Sequence, residues 1–159
     1  MHTITFMRHA EAQNHAETGD HGRPLSPRGR DEALSIANQL AQYPHWLPDI
    51  VLVSTALRTR ETCQLLSLKP ELKVCFSKDL YHTSMDSILK VMANEAISAN
   101  HVMIIGHNSG ISDVASKLTK KMISMRTAQV IVMNCSLEAK GIVESLYLGE
   151  WNESLCLMP

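Results

Sequence analysis

Short apolar runs alternate along this chain with stretches of helical periodicity, and that alternation limits the fold more than any other feature. Ile50-Val51-Leu52-Val53 has no polar residue among its β-branched ones, so a strand there has to be covered on both faces. Strands of that kind, separated by helices, predict an α/β fold with a mostly parallel sheet. The strands are expected at His2–Arg8, Ile50–Val53, Leu72–Phe76 and Val102–Ile105. Ser26-Pro27 predicts a helix start, with serine as N-cap and proline at the first helical position, and Ala33, Ile36, Ala37 and Leu40 give that helix its apolar face. Further helices are expected from Leu57 to about Leu66, over Ser84–Ile97, and from Ser109–Asp113 onward. Two late strands, near Gln129–Asn134 and Ile142–Leu148, with a turn at Ala139-Lys140-Gly141, predict a hairpin and hence one antiparallel strand at a sheet edge. The expectation is a three-layer sandwich in one domain, residues 1–159.

Composition narrows the partners. A net charge of -1 gives no electrostatic case for nucleic acid or an anionic membrane surface, and no apolar run approaches the ~20 residues of a membrane span. Arg8-His9 follows so soon after Met1 that no signal peptide is expected. Cys63, Cys75, Cys135 and Cys156 are widely spaced without a C-x-x-C pair, which predicts free thiols and a cytoplasmic protein. The histidines show no H-x-H or H-E-x-x-H spacing, so no metal and no cofactor is expected.

Several predicted strands end in basic or imidazole side chains. The first ends in Arg8-His9, the second runs through Ser54-Thr55-Ala56 into Arg58, and the central apolar run ends in Gly106-His107. In open α/β sheets the carboxyl ends of the strands form the ligand-binding rim, so Arg8, His9, Arg58 and His107 converge there if the strands are parallel. Two guanidiniums and two imidazoles around one cavity suit a phosphoryl group. Arginines hold its oxygens as charged forks, and a neutral imidazole attacks phosphorus. Taken singly, Arg58 is an ordinary solvated residue of a helix's first turn and His107 an ordinary turn residue; placement at shared strand ends favours the site. Gly106-His107-Asn108-Ser109-Gly110 is not a serine-hydrolase elbow, because its serine stands fourth rather than third.

These residues resemble the histidine phosphatase superfamily, whose signature is Arg-His-Gly at the end of the first strand. Met7-Arg8-His9-Ala10-Glu11-Ala12 is similar to the variant of the small SixA-type phosphohistidine phosphatases. Arg23-Pro24-Leu25-Ser26-Pro27-Arg28-Gly29 matches that branch's R-P-L-[ST]-x-x-G segment, Val53 to Thr62 its V-S-[SP]-x-x-R-[AT]-x-x-T segment, and Gly106-His107 its [GS]-H segment. The resemblance implies a phosphoglycerate-mutase-like fold, His9 as nucleophile, and Arg8, Arg58 and His107 as the phosphate clamp. It also implies Arg23 as an extra basic contact, and Asn108, next to His107 in the chain, is a further candidate for binding phosphate or substrate. Ala10 stands where the superfamily commonly has glycine, so an ordinary backbone conformation suffices there.

Many larger members use a Glu or Asp general acid shortly after the third strand or in an inserted segment; here Asp79-Leu80-Tyr81-His82-Thr83-Ser84 occupies the comparable stretch and the inserted segment is missing. Asp20, Glu11 and His82 are the candidate acids. Protonating an alkoxide leaving group contributes ~10²–10⁴-fold, whereas the P–N bond of phosphohistidine depends less on such a donor. The expected function is a phosphatase acting on phosphohistidine of a partner protein, such as a histidine phosphotransfer domain of a signalling relay. Two alternatives stay open: a phosphatase for small phosphate compounds such as sugar or nucleotide phosphates, and a non-catalytic phosphoprotein-binding module.

Overall fold

The computed structural model describes residues 1–43, 45–135 and 141–159. Six strands form one sheet: β1 (His2–Arg8), β2 (Ile50–Ser54), β3 (Lys73–Ser77), β4 (His101–Gly106), β5 (Val130–Cys135) and β6 (Trp151–Leu157). Their order is β3-β2-β4-β1-β5-β6. β3, β2, β4 and β1 are mutually parallel, while β5 pairs antiparallel with both β1 and β6.

The uninterrupted apolar strands divide their side chains by period two. Ile4, Phe6, Ile50, Leu52, Val102 and Ile104 face a core shared with α3 (Met85–Glu95), α4 (Gly110–Thr119) and α5 (Ile142–Leu148). Met7, Val51, Val53, Met103 and Ile105 face the opposite core, shared with α1 (Pro27–Leu40) and α2 (Leu57–Leu65). This is the expected three-layer arrangement. Ser26 caps α1 by accepting from the Gly29 amide at 3.0 Å, with Pro27 next to it. Gly29 is required by close approach, since a Cβ there would lie 1.9 Å from the Glu11 carbonyl oxygen. That contact seats the start of α1 against the chain leaving β1.

One sequence expectation is corrected. Ile142–Leu148 is the helix α5, and the strand beside β5 is Trp151–Leu157. Ile142 and Leu146, four apart, are the apolar residues that enter the core, whereas Tyr147 and Leu148 are exposed, which is a helical rather than a strand period. The reversed strand therefore lies one place in from the edge, covered by β6. The expected turn at Ala139-Lys140 lies outside the described residues. Among the described residues, no helix is long and apolar enough to cross a membrane.

The parallel register carries the site. Arg8 pairs with Gly106 and Val53 with Ile105, so β1, β2 and β4 end level with one another. His9, Ser54 and His107 then emerge on one rim.

Candidate active site

His9 is held on both sides of its backbone. Its amide donates to the Gly106 carbonyl at 3.0 Å, and its carbonyl accepts from the Ala128 amide at 3.2 Å. Its Nδ1 lies 2.7 Å from the Ala10 carbonyl oxygen. A carbonyl can only accept, so Nδ1 carries the proton and Nε2 keeps its lone pair. Ala10 is itself fixed, because its amide donates to Thr62 Oγ1 at 3.1 Å while that hydroxyl donates to the Arg58 carbonyl at 2.7 Å. Burial pushes the His9 imidazole down to about 4; the Ala10 bond opposes this, and the guanidiniums of Arg58, Arg8 and Arg23 reinforce it. At neutral pH the ring is a neutral nucleophile.

The other three core residues surround it. The His107 and His9 ring centroids are 5.0 Å apart, and His107 Nε2 lies 2.7 Å from Ser54 Oγ. Arg8 Nη1 donates to the Met125 carbonyl at 3.0 Å. Arg58, only 3% exposed, directs Nη1 to the Asp20 carbonyl at 2.7 Å and Nη2 to Asp20 Oδ2 at 3.2 Å. Arg8 Nε, Arg58 Nε and His107 Nδ1 are buried without a hydrogen-bond partner among the described residues. Buried donors are almost always satisfied. Two unsatisfied guanidinium donors and one unsatisfied imidazole nitrogen around His9 suit an oxyanion site.

The remaining sequence candidates divide. Arg23 reaches the site from the 11–24 loop, its Nε 2.8 Å from Asp20 Oδ1 and its Nη1 2.7 Å from the Gln13 carbonyl. The Asp20 carboxyl is held well below the usual carboxylate range, chiefly by the Tyr81 hydroxyl at 2.6 Å, then by Arg23 and Arg58. It is therefore ionised and has no proton to give. Glu11 braces α1, with Oε1 accepting from Ser26 Oγ at 2.8 Å and Oε2 3.5 Å from Arg28 Nη1. His82 is 68% exposed on the rim, with Nε2 3.3 Å from Asp20 Oδ2. Asn108 has both ends of its amide engaged, donating to the Met125 carbonyl at 2.8 Å and accepting from Ser112 Oγ at 2.6 Å. It shares the Met125 carbonyl with Arg8.

Three further residues were not singled out from the sequence: Ser54 beside His107, Thr62 behind Ala10, and Tyr81 on Asp20. Ser54 and Thr62 are the serine and threonine of the V-S-[SP]-x-x-R-[AT]-x-x-T segment, so a signal existed for them. Tyr81 carried none. Among the described residues, no group of three or more His, Cys, Asp or Glu side chains is placed to hold a metal ion.

Burial also makes the fold acid-sensitive. His9, His107 and His101 are lowered to about 4, about 3 and about 4, in each case chiefly by burial. Each takes up a proton near 6.5 in the unfolded chain but only at the lower value when folded. Between those limits the unfolded state binds more protons, so stability is full above about pH 6.5 and is lost as pH falls toward 4. The unfolding free energy from urea titration, and with it the midpoint, is expected to drop between pH 7 and pH 5, the free energy by roughly 1 kcal/mol per pH unit for each such histidine below pH 6. A flat midpoint across that interval would contradict the assignment.

Comparison with known proteins agrees with this geometry. The sequence pattern of the histidine phosphatase superfamily (branch 1) matches residues 4–102. An uncharacterised protein of Mycobacterium leprae is 30% identical over 149 residues, covering 91% of this chain and 89% of its own. The candidate phosphohistidine phosphatase SixA of Nakamurella multipartitia superposes with a TM-score of 0.82 at 25% identity, over 99% of this chain and 96% of its own. The protein histidine phosphatase SixA, solved with tungstate, superposes with a TM-score of 0.78 at 20% identity, over 98% and 96% of the two chains. By its matched residues, this chain belongs to the histidine phosphatase superfamily.

Proposed function

We propose that the protein is a phosphatase that works through phospho-His9 and removes phosphate from phosphohistidine on a partner protein, such as a histidine phosphotransfer domain. The observation that carries the chemistry is the His9 tautomer. Its Nδ1 proton is committed to the Ala10 carbonyl, so the Nε2 lone pair is free among Arg8, Arg58 and His107. Nε2 bonds to phosphorus as the substrate's P–N bond breaks, and the departing imidazole nitrogen, being basic, takes a proton from solvent. Water then attacks phospho-His9, releasing inorganic phosphate and restoring His9. The guanidiniums and the His107 Nδ1–H hold the phosphoryl oxygens through both steps. Tungstate, found with the SixA protein of the same fold, is a tetrahedral oxyanion of the kind this cage suits.

The state of the candidate acids supports the substrate class. Asp20 is ionised, both carboxylate oxygens of Glu11 are engaged by Ser26 and Arg28, and His82 lies on the exposed rim with its Nε2 against Asp20, so none is placed to give an alkoxide leaving group the proton it needs. Losing that proton costs an ester ~10²–10⁴-fold, but a phosphoramidate far less. Phosphate release should be measured from a phosphorylated histidine phosphotransfer protein and from a panel of sugar and nucleotide monoesters. The phosphoprotein is expected to exceed every ester in kcat/KM by at least about 10²-fold. Turnover of esters alone would overturn the substrate class, and binding without release from any donor would make the protein a phosphate-binding module.

A further inference from the structure

Asp20 is the best-connected side chain at the site, although it sits on an exposed loop. Oδ1 accepts from Arg23 Nε at 2.8 Å. Oδ2 accepts from the Tyr81 hydroxyl at 2.6 Å and lies 3.2 Å from Arg58 Nη2 and 3.3 Å from His82 Nε2. Its backbone carbonyl takes Arg58 Nη1 at 2.7 Å. The short turn that places it, Asp20–Gly22, is entered through Gly19 at φ 85, a left-handed conformation that favours glycine. Three separate segments therefore meet on one carboxylate: the 11–24 loop, the first turn of α2, and the residues between β3 and α3.

We infer that Asp20 is a positioning residue: by gripping Arg58 and Arg23 together it orients both guanidiniums to receive the oxygens of the transferring phosphoryl group. The inference rests on the phosphatase reading. Both Nη atoms of Arg58 are engaged by Asp20, while its Nε is buried and unpaired. The fork is thus held from one side with a donor left over. Arg23 is likewise held, by Nε to Asp20 and Nη1 to Gln13. Two cations so close repel one another, and the carboxylate between them offsets that repulsion. A displacement of about 1 Å in such a clamp can cost 10²-fold in rate.

Two simpler roles predict different results. If Asp20 were only an anion competing with phosphate for the arginines, removing its charge would tighten oxyanion binding. If it acted by charge alone, a carboxylate one methylene further out would serve as well. Asp20→Asn and Asp20→Glu separate these. The positioning role predicts that both variants lose about 10- to 100-fold in kcat on phosphohistidine protein, bind orthovanadate several-fold more weakly by calorimetry, and melt within a few degrees of wild type, since the loop is exposed. Tighter vanadate binding by Asp20→Asn, or wild-type kcat in Asp20→Glu, would overturn it. The vanadate titration keeps the two ideas apart. A wild-type protein that releases no phosphate ends the phosphatase reading, yet unchanged vanadate affinity in both variants would on its own end the positioning role.

Discussion

His9→Ala is expected to lower kcat/KM by roughly 10⁴-fold or more and to leave no acid-labile phosphate on the protein after exposure to substrate, the loss typical of removing a covalent nucleophile. The effect should be nearly complete because the geometry offers no ready substitute. The other imidazole of the cage is His107, its ring centroid 5.0 Å away. Its Nε2 is paired with Ser54 Oγ and burial lowers it to about 3, so the ring is neutral beside the reacting atoms, where the proposed mechanism has its Nδ1–H meet the phosphoryl oxygens. The variant keeps the backbone bonds from His9 to Gly106 and Ala128 and loses one side-chain bond, a cost of about 1 kcal/mol. It should therefore fold. Label retained by a folded His9→Ala protein would place the nucleophile elsewhere and remove the basis of the mechanism.

Sequence and structure agree where burial leaves a strong pattern. Strands covered on both faces, such as Ile50–Val53 and Val102–Ile105, are apolar throughout, and each stops abruptly where the rim begins. Arg8, His9, Arg58 and His107 could therefore be placed from the chain alone. The last quarter was harder for the opposite reason. β6 lies at the sheet edge, so Asn152, Glu153 and Ser154 are exposed and break the apolar pattern that marks a strand. Ile142–Leu148 is a short, mostly apolar segment interrupted by Glu144 and Ser145, a length at which helix and strand cannot be told apart by composition. The outer site was hidden for another reason. The acceptor that sets the His9 tautomer is a backbone carbonyl, which side-chain chemistry does not reveal. Asp20 could be noticed as an acid near the site, but its role depends on groups at positions 23, 58, 81 and 82 facing it in space. The sequence lists charges, and only the fold says which of them meet.

Arg58→Lys is expected to lower kcat/KM by about 10²- to 10³-fold although the charge is retained, a loss comparable to deleting an oxyanion donor. Arg58 is 3% exposed and meets the Asp20 carbonyl and carboxylate with two nitrogens while its Nε stays unpaired. A planar fork can bond on one side and donate on another. A lysine ammonium is a single centre at the end of a flexible stem, and it cannot reach the carbonyl, the carboxylate and a phosphoryl oxygen together. The same cage serves both half-reactions, so single-turnover measurements should show phosphorylation of His9 and its hydrolysis slowed together. The acid limb of activity should hardly move, because burial, not Arg58, is the leading cause of the lowered His9 value. Near-wild-type rates in Arg58→Lys would mean that the field of a cation near His9 suffices, and that the directed bonds from Arg58 are not what stabilises the transition state.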